Sequence, residues 1–404
     1  MRIGGYGERM TLELLDIYQD LHRHPELAFH ERRTAQVIAD RLSDLGVDPI
    51  TGVGGTGVLG VIANGDGPVV WLRADIDGLP VQERTGLAYA SEHRVIDADG
   101  NETQTMHACG HDMHITWLLG ALERLLASRD AWAGTVVAIF QPAEEVIGGA
   151  RAMVEDGLLD RVPRPDIVLG QHSAPAPVGM IGVGFGPVMS ASDRMRVTFH
   201  GRGGHGSAPH TTLDPIVAAA SAVVRLQTVV SREIAPTEPA VVTIGTFHAG
   251  TRGNIIPDDA TIEISTRARS EGVRAQILAA IERIVGAEAA AGGLPAPEIT
   301  REPGADVLVN DPAAAERVLR ALGSGAVRLE NAHGLVMASE DVGQLATAAE
   351  APIVYWFTGT TDPAVFQRGE EPPSNHSPFY APLAEPSIPV GVEALVSAAR
   401  EFLD

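Results

Sequence analysis

The chain has 404 residues, room for two or three domains at roughly 150 residues each, and its 45% hydrophobic and 20% charged content is that of a globular protein with ample core. Acidic side chains outnumber basic ones by 52 to 30, a formal net charge of −22, which argues against nucleic acid or an anionic membrane as partner because the long-range field repels both. All 30 basic residues are arginine, which excludes a lysine Schiff base, a Walker phosphate loop and a Ser–Lys dyad.

In chain order, the spacing of Leu12, Leu14, Leu15, Ile17, Tyr18 and Leu21 predicts a helix, and a second is expected over Glu31–Leu45, closed by Gly46. Strands are predicted at Val58–Ile62 and Val69–Leu72, joined by the turn residues Asn64-Gly65-Asp66-Gly67. Gly52-Val53-Gly54-Gly55-Thr56-Gly57 matches G-x-G-x-x-G, but a strand rather than a helix follows it. The segment therefore reads as a glycine turn opening a β-hairpin, not a dinucleotide site. A buried helix is expected at Thr116–Leu126, a strand at Thr135–Phe140, a helix at Gly149–Leu159 and a strand at Asp166–Leu169. Strands alternating with helices indicate an α/β domain with a mainly parallel sheet.

The pattern changes near Gly182. A period-2 strand at Arg194–Phe199 precedes a helix at Pro215–Val230, strands at Ala240–Phe247 and Thr261–Thr266, and a helix at Gly272–Ala290, the order of a small α+β sandwich. Gly292–Pro297 reads as its exit linker. A helix at Pro312–Leu322 and a strand at Pro352–Phe357 return to α/β texture. The expected organisation is one domain from residues 1–184 and 300–404, with residues 185–299 inserted. Residues 1–27 hold no apolar stretch long enough for a signal peptide, and no run approaches ~20 apolar residues. With the single cysteine, Cys109, this points to the cytoplasm.

Residues of metal-binding type collect in short segments at strand ends, where open α/β sheets carry their sites. The densest is Met106–His114, with three histidines, Cys109 and Asp112. Read as an extended loop, it turns Cys109 and His111 to the same side, a thiolate–imidazole pair that suits zinc. Glu144 and Glu145 follow a strand and can divide two tasks, metal binding and general base. His172 follows Asp166–Leu169, and His376 sits in a proline-broken loop. Asp75-Ile76-Asp77 offers a carboxylate to orient a ligating imidazole through its second nitrogen. Glycines around His205 suggest an exposed imidazole able to donate to an oxyanion.

Together these segments resemble the metal-dependent amidohydrolases of the aminoacylase and carboxypeptidase superfamily. The branch in question holds hippurate hydrolases, N-acyl-amino-acid amidohydrolases and indoleacetyl-amino-acid hydrolases. The matching stretches, in the family's order, are His22–Leu27, Arg73–Pro80, Cys109–Asp112 with His114, Gln141–Glu145, Gly203–His210, Asn254–Pro257, Ser339–Asp341 and Asn375–Pro378.

The resemblance implies a two-metal catalytic domain and an inserted lid that mediates dimerisation, or higher homo-oligomers. It assigns Cys109, His111, Glu145, His172 and His376 as ligands, Glu144 as general base, and Asp112 or Asp75 as support. His205 becomes a lid histidine acting in its own or the partner's site, and Asn254 and Arg267 hold the substrate's carboxylate or carbonyl. Two divalent ions are expected, zinc or manganese, with cobalt or nickel also compatible. The substrate class is an N-acyl amino acid or a similar small amide, with a dipeptidase or carboxypeptidase as the rival enzyme. A non-catalytic metal-dependent binder is a further alternative, against which Glu144 speaks. Gln171, Val342-Gly343 and Ala381–Ala384 depart from the family pattern and are expected near the pocket.

Overall fold

A computed structural model describes residues 6–96, 100–329 and 337–403, with side chains described from Glu13 on. Residues 1–5, part of the segment read for a signal peptide, lie outside the described residues. The chain forms two compact units. The first holds the residues up to Val188, a segment from Val309, and Asp341–Asp404; the second holds Met189–Leu308 and a short segment ending at Glu340.

The first unit is an eight-stranded sheet in the spatial order Pro49–Val53, Gly57–Asn64, Gly134–Gln141, Val69–Asp75, Ile167–Pro177, Ile353–Thr361, Ile181–Gly184 and Ala326–Leu329. Its four central strands, Gly134–Gln141 to Ile353–Thr361, are mutually parallel. Outside them the pairs are antiparallel, except that the edge strand Ala326–Leu329 runs parallel to Ile181–Gly184. Val136–Phe140 is an unbroken buried run, as expected of a strand with both faces covered. The helix His111–Leu126 is apolar on nearly every side and buried throughout its first three turns. It packs against the helix Ala384–Leu403, where a Cβ on Gly391 would lie 2.2 Å from the Trp117 ring.

Several expectations change. The strands Gly57–Asn64 and Val69–Asp75 do not pair, because Gly134–Gln141 lies between them. The hairpin is instead Pro49–Val53 with Gly57–Asn64, turning through Gly54 and Gly55 at φ of 64° and 105°. The predicted helix at Gly149–Leu159 ends at Glu155, since Gly157 adopts φ 81°. The C-terminal helix Ala384–Leu403 was not expected; Pro386 and Pro389 obscure its period in the sequence.

The second unit is a four-stranded antiparallel sheet in the order Ala240–Ala249, Asp259–Ala268, Ala191–His200 and Glu298–Arg301. Along Asp259–Ala268 buried and part-exposed residues alternate strictly, so one face is covered. The helices Pro215–Thr228 and Glu271–Ala291 share a core with it. Gly292–Pro297 is not an exit linker, because it leads into the sheet's fourth strand, Glu298–Arg301. Ala240–Ala249 is an edge strand, with Val241 and Phe247 exposed. Ile216, Val217 and Val224 on the helix Pro215–Thr228 are also exposed. Among the described residues no helix is long and apolar enough to cross a membrane.

Candidate metal centre

From the strand Val69–Asp75 the chain runs first to its neighbour on one side, Gly134–Gln141, and then to its neighbour on the other, Ile167–Pro177. That reversal opens a crevice at the carboxyl ends of the strands. Asp75 and Gln141 end two of these strands, and Glu144 and Glu145 follow directly. His172 lies within the strand Ile167–Pro177 rather than in a loop beyond it. The strand outruns its apolar stretch because Ile353–Thr361 stays in register with it, Phe357 opposite His172.

The Met106–His114 segment is not an extended loop either. The helix begins at His111, and Gly110 turns the chain at φ 81°. A Cβ there would lie 2.4 Å from Ser173 Oγ, so both conformation and space require glycine. The turn still groups Cys109 with His111. The ligand atoms of Cys109, His111 and Glu145 lie within 4.8 Å of one another, as do those of Asp75, His111, His114 and His172. Cys109 Sγ is 3.4 Å from His172 Nε2. His376, at φ 69°, brings Nε2 to 3.3 Å from Glu145 Oε2. The five expected ligands therefore converge.

Neighbouring oxygens determine which imidazole nitrogens remain available. His111 donates Nδ1–H to Asp77 Oδ1 at 3.1 Å, and its buried Nε2 has no hydrogen-bond partner. Glu145 Oε1 is likewise buried without a partner. His172 donates Nδ1–H to the Ser173 carbonyl at 2.7 Å, turning Nε2 toward Cys109. His114 donates Nδ1–H to Asp75 at 2.5 Å and accepts the Ser173 amide at Nε2, so both its nitrogens are engaged.

Burial pushes the Cys109 thiol up, with Glu145 adding to it. Burial, with Asp77 and Asp75 added, pushes Glu145 up to about 8 against the pull of His111. Both groups resist ionisation until a cation neutralises them. Burial and His114 hold His172 well below the ordinary imidazole value, in the neutral form a ligand needs. A sulfur, imidazoles and a carboxylate with orphaned buried ligand atoms fit a divalent transition metal.

Glu144 is buried beside this group, its Oε2 3.9 Å from His111 Nε2. Of the two expected supports, Asp75 bonds Arg73 and His114, whereas Asp112 bonds His22 Nδ1 at 2.6 Å and no ligand side chain. Asp77 does what was sought of the Asp75–Asp77 segment, and it also accepts the Glu145 amide at 3.0 Å. Beneath lies a network that sequence reasoning missed: buried Arg73 contacts Asp75, Gln141 and Asp341. Its only signal was an arginine inside an apolar strand. Gln171 lies in the core rather than the pocket. It alternates with His172 to the opposite face, where it bonds Trp356, Thr358 and the Gly391 carbonyl.

In the second unit His205 pairs with Ile255 in a short ladder, and the Gly206 amide donates to the Asn254 carbonyl at 2.9 Å, so His205 and Asn254 lie together. The His205 side chain is exposed and its Nδ1 accepts from Ser207. Arg267 is not with them. It lies eight residues beyond Asp259, at the opposite end of the strand Asp259–Ala268, ~27 Å away at about 3.4 Å per residue. It is half-buried, and burial and Arg194 lower its pKa.

The chain matches Peptidase family M20/M25/M40 over residues 71–401. It is 36% identical to thermostable carboxypeptidase 1 of Saccharolobus solfataricus over 352 residues, 86% of each chain. It is 40% identical to the hippurate hydrolase of Campylobacter jejuni over 336 residues, 82% of this chain and 84% of that one. The crystal structure of a dinuclear metal-binding M20 peptidase from Bacillus subtilis superposes with a TM-score of 0.78 at 31% identity, covering 98% of this chain and 99% of that one.

Proposed function

Because the chain belongs to peptidase family M20/M25/M40, we propose that it hydrolyses the amide bond of N-acyl amino acids or related small conjugates at the site around Cys109. In this reading Cys109, His111, Glu145, His172 and His376 hold two divalent ions, and Glu144 is the general base. The carrying observation is that two orphaned buried ligand atoms, His111 Nε2 and Glu145 Oε1, lie beside a second buried carboxylate. When bound, the ions supply Lewis acidity and make a nearby water more acidic. Zinc suits the thiolate and imidazoles; the carboxylate also accepts manganese, and cobalt or nickel are compatible.

Glu144 takes a proton from the attacking water on its carboxylate and returns it to the departing amine. His205 donates to the oxyanion, and Asn254 and Arg267 bind the substrate's carbonyl and carboxylate. The separation of Arg267 from the His205–Asn254 pair along one strand supports a division of labour. The two places hold different parts of the substrate, and His205 acts in the site of its own subunit or of a second copy. The exposed edge strand Ala240–Ala249 and the apolar residues Ile216, Val217 and Val224 support a homodimer through this unit. The single cysteine supports a reducing compartment, the cytoplasm, as the place of action.

The hippurate hydrolase relative favours an acyl substrate. The carboxypeptidase relative, of comparable coverage, favours the rival reading, in which an aminoacyl group stands on the acyl side. Hydrolysis of N-acetyl amino acids, N-benzoyl amino acids and dipeptides, with metal content measured in parallel, separates the two. Glu144→Gln is expected to keep its metal and lose roughly 10²–10⁴-fold in turnover. Full turnover in that variant removes the base assignment, and no metal in the wild type removes the reading.

A further inference from the structure

Ser173 is 1% exposed, and each of its polar groups is bonded within the site. Its amide donates to His114 Nε2 at 2.8 Å. Its carbonyl accepts His172 Nδ1–H at 2.7 Å and the Asn375 side-chain amide at 3.4 Å. Its hydroxyl lies 3.0 Å from the Cys109 carbonyl and 3.1 Å from His114 Nε2, and it receives the Tyr380 hydroxyl at 3.0 Å.

The proton count is determinate. His114 Nδ1–H goes to Asp75, so Nε2 carries the lone pair, and that lone pair already takes the Ser173 amide. Tyr380 turns its proton toward Oγ. The one hydroxyl proton of Ser173 therefore goes to the Cys109 carbonyl, the peptide oxygen immediately before left-handed Gly110. Through its carbonyl Ser173 aims His172 Nε2, and through its hydroxyl it anchors the backbone that carries Cys109 Sγ, 3.4 Å from that nitrogen.

We propose that Ser173 is a positioning residue that sets the Cys109 sulfur and the His172 imidazole at the spacing a shared metal centre requires. The proposal rests on reading Cys109 and His172 as ligands. Hydrogen bonds made to the ligands from behind fix ligand direction before the ion arrives, and their loss usually costs about 10–100-fold in metal affinity. Ser173→Ala keeps the amide and carbonyl bonds and removes the hold on Cys109 together with the acceptor of the Tyr380 hydroxyl, so the sulfur side of the centre loosens while His172 stays aimed.

The test is titration of the metal-stripped full chain with cobalt(II), following the sulfur-to-cobalt charge-transfer absorption in the near ultraviolet. Folding is checked by circular dichroism. Wild type is expected to show the band, and Cys109→Ala to lack it. Ser173→Ala is expected to bind cobalt about 10–100-fold more weakly, with a shifted or weakened band at saturation. Tyr380→Phe, which removes one bond to Oγ, is expected to move both readouts in the same direction by less. A folded Ser173→Ala with wild-type affinity and band overturns the positioning role while leaving the ligand reading intact. If Ser173→Ala does not fold, an unchanged Tyr380→Phe overturns it. A wild type without the band, or a band that survives Cys109→Ala, removes the ligand reading and this proposal with it.

Discussion

His22 shows how much charge is held away from the ligands themselves. Burial opposes its protonation, but Asp112 at 2.6 Å and Glu83 at 3.1 Å outweigh burial and hold the imidazole up at about 9. Its folded pKa lies above the ordinary 6.5. The stabilisation is therefore fully present below pH 6.5 and is lost as pH rises through about 9. In urea unfolding, the stability gap between wild type and His22→Gln is expected to shrink between pH 7 and pH 10; a constant gap would show that the charge contributes nothing. Among the candidate ligands, Cys109→Ala is expected to lower bound metal per chain, measured by elemental analysis, because it deletes the sulfur from a set gathered within 4.8 Å. Unchanged stoichiometry would take Cys109 out of the centre.

Elements meet at the site through two devices. One is the left-handed turn at Gly110, which starts the helix His111–Leu126 where Ser173 Oγ leaves no room for a Cβ. Gly110→Ala combines an unfavourable φ with a collision and is expected to cost ~1–3 kcal/mol, read from the urea midpoint. The other is Arg73, a cation between the Asp75 and Asp341 carboxylates that also donates to Gln141 and so joins the ends of the strands Val69–Asp75 and Gly134–Gln141. Asp341 Oδ2 in turn accepts the Ala150 amide near the start of the helix Gly149–Glu155. Arg73→Met leaves those carboxylates buried without their cation, and a loss of ~3–5 kcal/mol is expected in the same measurement. A change below 1 kcal/mol in Arg73→Met would mean that the network fills space without holding the strand ends.

For the whole molecule, complementation between two inactive variants decides whether His205 acts in its own subunit or in a second copy. Glu144→Gln and His205→Ala are each expected to be inactive as homodimers. After subunit exchange, the mixed dimer joins one chain's intact Glu144 to the other chain's intact His205, restoring one complete site. Recovered hydrolysis on mixing supports action in the partner; no recovery, with exchange verified by sedimentation of labelled chains, places His205 in its own subunit. Val224→Asp, on the exposed helix face, is expected to shift sedimentation from dimer to monomer and to reduce turnover with it.

Cys109, His111, Glu145, His172 and His376 were legible as candidate ligands from the linear chain, because few residue types bind transition metals and these five stand in an ordered series of short motifs. Hydrophobic period was likewise enough for most strands and helices, since it reports which face of an element is buried. Period carries no information about which element becomes the neighbour. The insertion of Gly134–Gln141 between two strands consecutive in sequence, and the extension of Ile167–Pro177 past His172, follow from sheet order and register. The division of carboxylates follows from the same source. Asp75 and Asp77 are equivalent in the chain, yet Asp75 closes its strand and bonds His114 and Arg73, whereas Asp77, beyond the strand end, bonds His111 and the Glu145 amide. Hydrogen-bond partners separated by tens to hundreds of residues meet only once the sheet is assembled, because short range and directionality make such bonds a property of packed geometry.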